Sequence, residues 1–162
     1  MKIHVVSQLW FKENAWCCDP RPVYRCPESP FWRENNFISI RNSTETDPNC
    51  AIPVDGGNIL KLRFDDATDD PDRTLALFDA EIAEKIVRFL GRIDTSRPLF
   101  INCGAGISRS GAVGEVLNDY FNRYLERNDA EAEYFRRMNR PIQGNPLVRR
   151  ILNEALFGKY RM

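Results

Sequence analysis

The chain reads as a single α/β domain over residues 1–162, a central sheet of about four or five strands flanked by helices. Three observations predict this. Short apolar or alternating runs take turns with stretches of helical periodicity. A chain of 162 residues suits one domain and buries a core of its own without disulfides or metal. One apolar run also ends in a cysteine followed by a glycine-rich turn and a helix start, a strand–loop–helix unit.

In chain order, Ile3-His4-Val5-Val6 is the first strand, and His4 is read as a strand residue rather than a base. From Ser7 to Trp32 the chain is rich in Trp, Cys and Pro, so turns and one short helix before Pro20 are expected. Asn36 to Ile40 alternates as a strand. Asn42 to Asn49 is a polar loop with Asp47-Pro48 at its turn. Asn58 to Phe64 alternates again after Gly56-Gly57 and runs into the acidic stretch Asp65 to Asp72. Ala76 to Leu90 carries apolar residues at 78, 82, 86, 89 and 90, a helical spacing. Pro98 to Ile101 is a short buried strand leading to Asn102-Cys103. Helices are expected over Gly111–Tyr124, Ala130–Met138 and Pro146–Leu156, the last stopped by Gly158.

Composition narrows the function. Lys plus Arg and Asp plus Glu both number 23, so no overall field draws the chain to nucleic acid or an anionic membrane. No apolar run approaches the roughly 20 residues that span a bilayer. The first seven residues do not form a signal peptide. A soluble, cytoplasmic protein is the expectation. The five cysteines (17, 18, 26, 50 and 103) are odd in number and contain no CxxC pair, and His4 is the only histidine. Reduced thiols and no zinc site follow, and no cofactor is called for. The absence of G-x-x-x-x-G-K-[ST] removes one route to nucleotide hydrolysis.

The chemistry lies in Cys103-Gly104-Ala105-Gly106-Ile107-Ser108-Arg109-Ser110-Gly111. Glycines let successive N–H groups point inward, and the helix starting near Ser108 turns its positive end to the same hollow. Such a cradle suits a tetrahedral dianion, with the amides of Gly104, Ala105, Gly106, Ile107 and Ser108 as donors. It also suits a thiolate, since a cysteine beside a helix N-terminus and an arginine has its pKa lowered to about 3.5–7.5 from about 8.5. Arg109 is positioned to grip two oxygens bidentately, and Ser110 offers a hydroxyl near the sulfur. An isolated cysteine is most often a buried core thiol, and an isolated arginine a solvated one. The surrounding pattern reverses both readings here.

These residues resemble the Cys-x5-Arg-Ser signature of protein tyrosine phosphatases, most nearly the small dual-specificity type of bacteria and phages. Asn139-Arg140-Pro141-Ile142-Gln143-Gly144-Asn145 resembles the segment after the family's signature helix, where an asparagine buttresses the phosphate loop; Asn145 takes that place. The resemblance runs from about Asn58 to Gly158 and is poor before Asn36. It implies a phosphocysteine intermediate on Cys103, Arg109 as the phosphate-gripping group and Ser110 as an aid to thiolate departure. The family usually has histidine before the nucleophile, where this chain has Asn102, a residue that still donates and accepts hydrogen bonds in support of the loop.

The resemblance also implies a general acid on an upstream loop. Asp65, Asp66, Asp69, Asp70 and Asp72 precede Cys103 by 38, 37, 34, 33 and 31 residues. Usual spacing favours Asp69 or Asp70. The strand ending Leu62-Arg63-Phe64-Asp65-Asp66 favours an acid just past the last apolar residue, and Asp66 is the choice, with Asp65 and Asp70 behind it. The expected substrate is a phosphorylated protein or peptide, phosphotyrosine first and phosphoserine or phosphothreonine next. A phosphoinositide or RNA 5′-phosphate substrate is the alternative, as is a phospho-binding module with weakened catalysis. Trp10, Phe11, Trp16, Phe31 and Trp32 serve either as a substrate wall or, by the stronger reading, as a satellite cluster. Arg136, Arg137, Arg140, Arg149 and Arg150 read as solvated or ion-paired helix faces.

Overall fold

Four parallel strands form the sheet that carries everything else: β1 Ile3–Ser7, β4 Asn36–Arg41, β5 Ile59–Arg63 and β6 Leu99–Cys103, laid side by side in the order β1-β6-β4-β5. The computed structural model describes residues 1–13, 16–18, 21–22, 26–47, 51–139 and 142–158, with 12–22 by backbone alone. Cys17, Cys18 and Trp16 therefore have no described side chains, and Pro48, Cys50, Arg140 and Pro141 lie outside the described residues. A short α1, Gln8–Glu13, follows β1, and β2 (Trp16–Cys18) pairs antiparallel with β3 (Arg21–Pro22). The remaining helices are α2 Phe31–Glu34, α3 Ala80–Leu90, α4 Arg109–Leu117, α5 Asp129–Met138 and α6 Pro146–Phe157. The single-domain α/β class is as the sequence predicts.

Strand β6 runs between β1 and β4, with Cys103 beside Ser7 and Asn102 beside both Val6 and Ser39. Side chains alternate across it. Leu99, Ile101 and Cys103 face a core shared with α3, α4 and α6, built from Ile38, Ile40, Phe64, Ile86, Phe89, Val113, Leu117 and Leu152. Phe100 faces the other way, toward Phe11, Trp32, Phe37, Ile52 and Ile59, flanked by Trp10 and Phe31. The aromatic N-terminal segment thus covers the second face of the sheet, its rings 5.0–6.4 Å apart in edge and tilted pairs.

Three local features differ from expectation. The α3 helix begins at Ala80 rather than Ala76, because Asp79 is extended and accepts from Ile82 N at 2.9 Å as the N-cap, while Ala76 pairs with Asp65 instead. The helix after the loop leaves α geometry at Leu117 and continues as a π-helical segment, Asn118–Leu125. Its wider turns accompany two buried asparagines: Asn118 Nδ2 donates to Ala132 O, and Asn122 Nδ2 donates to Met1 O and Asn118 Oδ1. The third correction concerns the thiols, for Cys26 is disulfide-bonded and buried, which the odd cysteine count obscures. Cys103 is a free thiol.

The open edge of β1 is closed by a side chain. Asn139, 8% exposed just past α5, accepts from Val5 N at 2.7 Å and donates to Ile3 O at 3.0 Å, as a neighbouring strand would. Its amide also donates to Phe135 O at 2.9 Å. Asn139→Ala leaves a buried N–H and two carbonyls without these partners, so it should cost about 2 kcal/mol in urea unfolding. An unchanged midpoint would show that water replaces the amide at no cost.

Candidate active site

Strand β6 delivers Cys103 to the carboxyl end of the sheet at 3% exposure. The chain then turns tightly enough to bring Gly106 N to 3.3 Å from the sulfur. Gly106 has φ +72, and a Cβ there would lie 2.6 Å from Ser7 N and Val6 C, so both the backbone conformation and the contact with β1 demand glycine. Gln8 N donates to Gly104 O at 3.2 Å, tying the loop to the start of α1.

Burial alone would push the Cys103 thiol up. Hydrogen bonds outweigh it, from the Ser110 hydroxyl first and then from the backbone amides of Ser110, Gly106 and Ile107, and the thiol lies below its ordinary value. Ser110 Oγ stands 3.1 Å from Sγ and is fully buried. The sulfur thus owes its acidity first to the Ser110 hydroxyl and then to the amides of the loop and the helix start.

The guanidinium of Arg109 is buried at 7% exposure. Its Nη1 donates to Asn42 Oδ1 at 2.7 Å and to Phe64 O at 2.8 Å. A methyl on Gly104 would sit 3.8 Å from Nη2, so that nitrogen faces the start of the loop. Nε is buried with no hydrogen-bond partner among the described residues. A buried N–H on a cation is costly to leave unmade. The Nε–Nη2 edge is the side of the fork that takes a tetrahedral anion bidentately.

Asp66 is brought to this loop. Its Oδ1 accepts from Ser108 Oγ at 2.8 Å and from Asn145 Nδ2 at 2.9 Å, while the residue stays exposed. Ser108 is the N-cap residue of α4, yet its hydroxyl makes no cap bond. Asn145 supports the loop through its backbone, with Asn145 N donating to Ser108 O at 3.1 Å, and its Oδ1 caps α6 by accepting from Leu147 N and Val148 N. Gln143 N donates to Ile107 O at 3.3 Å, a second strut from the same segment.

The other aspartates lie elsewhere. Asp65 is buried and accepts from Ser43 N, Ser43 Oγ and Ala76 N at 3.0, 2.6 and 2.8 Å. The Ser43 hydroxyl holds its carboxyl below the usual range despite burial, with the Ala76 and Ser43 amides and the Arg109 charge assisting. Asp70 accepts from Thr74 N and Leu75 N and closes its own turn. Asp69 and Asp72 are exposed. Asn102 is buried on the face opposite Cys103, so its amide points away from the sulfur. Asn42 and Ser43 join the site without having been expected there: they sit in the polar loop after β4, and only the parallel pairing of β4 with β5 brings that loop beside Phe64 and Asp65. A strand ending directly in Asn-Ser is the one signal the sequence offers for them.

No family model matches the chain, and no curated protein does. Solved structures do resemble it. PTPMT1 in complex with PI(5)P is 14% identical, with a TM-score of 0.47 over 84% of this chain and 86% of that one. PTP-2 phosphatase of Cydia pomonella is 17% identical, TM-score 0.48, over 85% and 80%. Human DUSP28 is 16% identical, TM-score 0.42, over 96% and 91%. All three lie below 20% identity and below a TM-score of 0.5.

Proposed function

We propose that the chain hydrolyses phosphomonoesters through a phosphocysteine on Cys103, with phosphotyrosine in proteins or peptides as the leading substrate. The observation that carries this reading is the unpartnered, buried Nε of Arg109 beside a free thiol whose pKa is lowered. A phosphoryl group supplies the acceptor the arginine lacks and the electrophile the thiolate attacks.

The reaction divides into two displacements. The Cys103 thiolate attacks phosphorus opposite the ester oxygen; the S–P bond forms as the P–O bond breaks. Asp66, as the carboxylic acid, gives its proton to the departing oxygen. The loop amides and the Nε–Nη2 edge of Arg109 hold the three equatorial oxygens throughout. Asp66, now a carboxylate, then takes a proton from water as that water attacks phosphorus. The S–P bond breaks, and the Ser110 hydroxyl, 3.1 Å from the sulfur, steadies the returning thiolate. No helix among the described residues is long and apolar enough to cross a membrane.

Metal-free turnover of p-nitrophenyl phosphate that disappears in Cys103→Ser is the expected result. Parallel assays on a phosphotyrosine peptide, a phosphoserine peptide, a phosphoinositide and a 5′-phosphorylated RNA rank the substrate classes, with the first expected to lead. Phosphopeptide binding without turnover of any of them would make the chain a binding module. Asp66→Asn should lower kcat about 100-fold, while Asp70→Asn stays within about twofold. The reverse order would move the acid to Asp70. For the thiol, the sign follows from its hydrogen bonds: they favour the thiolate, so alkylation of Cys103 by iodoacetate should reach half-maximal rate below the pH of an ordinary cysteine. Ser110→Ala should move that midpoint upward, and an unmoved midpoint would leave the lowering to the backbone amides alone.

A further inference from the structure

Asn42 is the residue that sets the orientation of Arg109, and we infer that it is a positioning residue for anion binding at the loop. The inference rests on the phosphatase reading above and deepens it. Asn42 follows the last residue of β4, and Glu45 N donates to its carbonyl at 3.2 Å, so the side chain springs from a closed turn rather than a loose end. The neighbouring Ser43 clamps Asp65 through both its amide and its hydroxyl, which fixes the turn against the segment after β5. From that turn Asn42 Oδ1 reaches Nη1 of Arg109 at 2.7 Å, and Phe64 O takes the other proton of the same nitrogen at 2.8 Å. With both Nη1 protons used, the guanidinium plane is held by two acceptors, and Nε and Nη2 are the guanidinium donors left for a ligand.

The chemistry of the acceptor matters as much as its place. An amide oxygen orients the guanidinium but carries no net charge, so Asn42 holds the fork without adding a negative charge where a phosphoryl dianion would arrive. A carboxylate in the same position would hold the fork equally well, yet it would pair with the cation and repel the incoming anion. Asp65, whose carboxyl feels the Arg109 charge, spends its hydrogen bonds on Ser43 and Ala76 instead.

The test uses the whole chain and reads anion binding directly, by the protection that inorganic phosphate gives Cys103 against iodoacetate. Asn42→Ala should weaken that protection about 10-fold, which corresponds to about 1.4 kcal/mol, and lower kcat/KM for p-nitrophenyl phosphate by a similar factor. Asn42→Asp should weaken it further. In both variants the pH midpoint of Cys103 alkylation should match the wild type, a readout that general damage to the loop would move. Protection equal to wild type in either variant overturns the inference, as does a shifted midpoint in both. Protection is measured without turnover, so the two proposals fail separately. A wild type that binds phosphate but hydrolyses nothing would sink the proposed function, while the loss of protection in Asn42→Ala would still support the positioning role.

Discussion

A buried cation with one edge unpaired is the feature to which the surrounding arrangement answers. Arg109 sits 7% exposed, and its Nε meets no acceptor among the described residues. Folding tolerates such a group only where neighbours hold it firmly and a ligand completes it. The end of β5 supplies a carbonyl, the turn after β4 supplies an amide, and Asp65 supplies a nearby negative charge fixed by three hydrogen bonds of its own. Two strands that pair in parallel therefore converge on one side chain from a third element.

The sulfur depends on a different set of parts. Cys103 ends the strand between β1 and β4: it pairs with Ser7 of β1, and Asn102 just before it pairs with Ser39 of β4. Gly106 presses against Ser7 and Val6 with no room for a side chain, which makes β1 a wall of the loop. The aromatic cluster of Phe11, Trp32 and Phe37 then holds the opposite face of the same sheet. Core and cradle are coupled through β6, and the thiolate is stabilised by groups that the fold has already fixed.

The loop and its helix are legible in the sequence because their residues are local: cysteine, two glycines, arginine and serine stand within nine consecutive positions. The strands are legible from alternation, and β4, β5 and β6 fall within a residue or two of the expected limits. What escapes is non-local. Asn42 looks like loop polarity because its partner is 67 residues away. The departure of the helix at Leu117 depends on buried asparagines that reach Met1 and Ala132, contacts no spacing rule anticipates. Cys26 is hidden by an odd total, since five cysteines can include a free Cys103 and still allow a disulfide.

Ser108 heads α4, and a serine there ordinarily closes its own helix by accepting from an amide in the first turn. Here its hydroxyl donates to Asp66 instead. The same Asp66 oxygen accepts from Asn145 Nδ2, whose amide also donates to Ala67 O, so the segment after β5 is tied to the start of α4 and to the segment before α6 at once. Asn145 thus joins two helix starts, its Nδ2 to the carboxylate beside α4 and its Oδ1 to the first amides of α6.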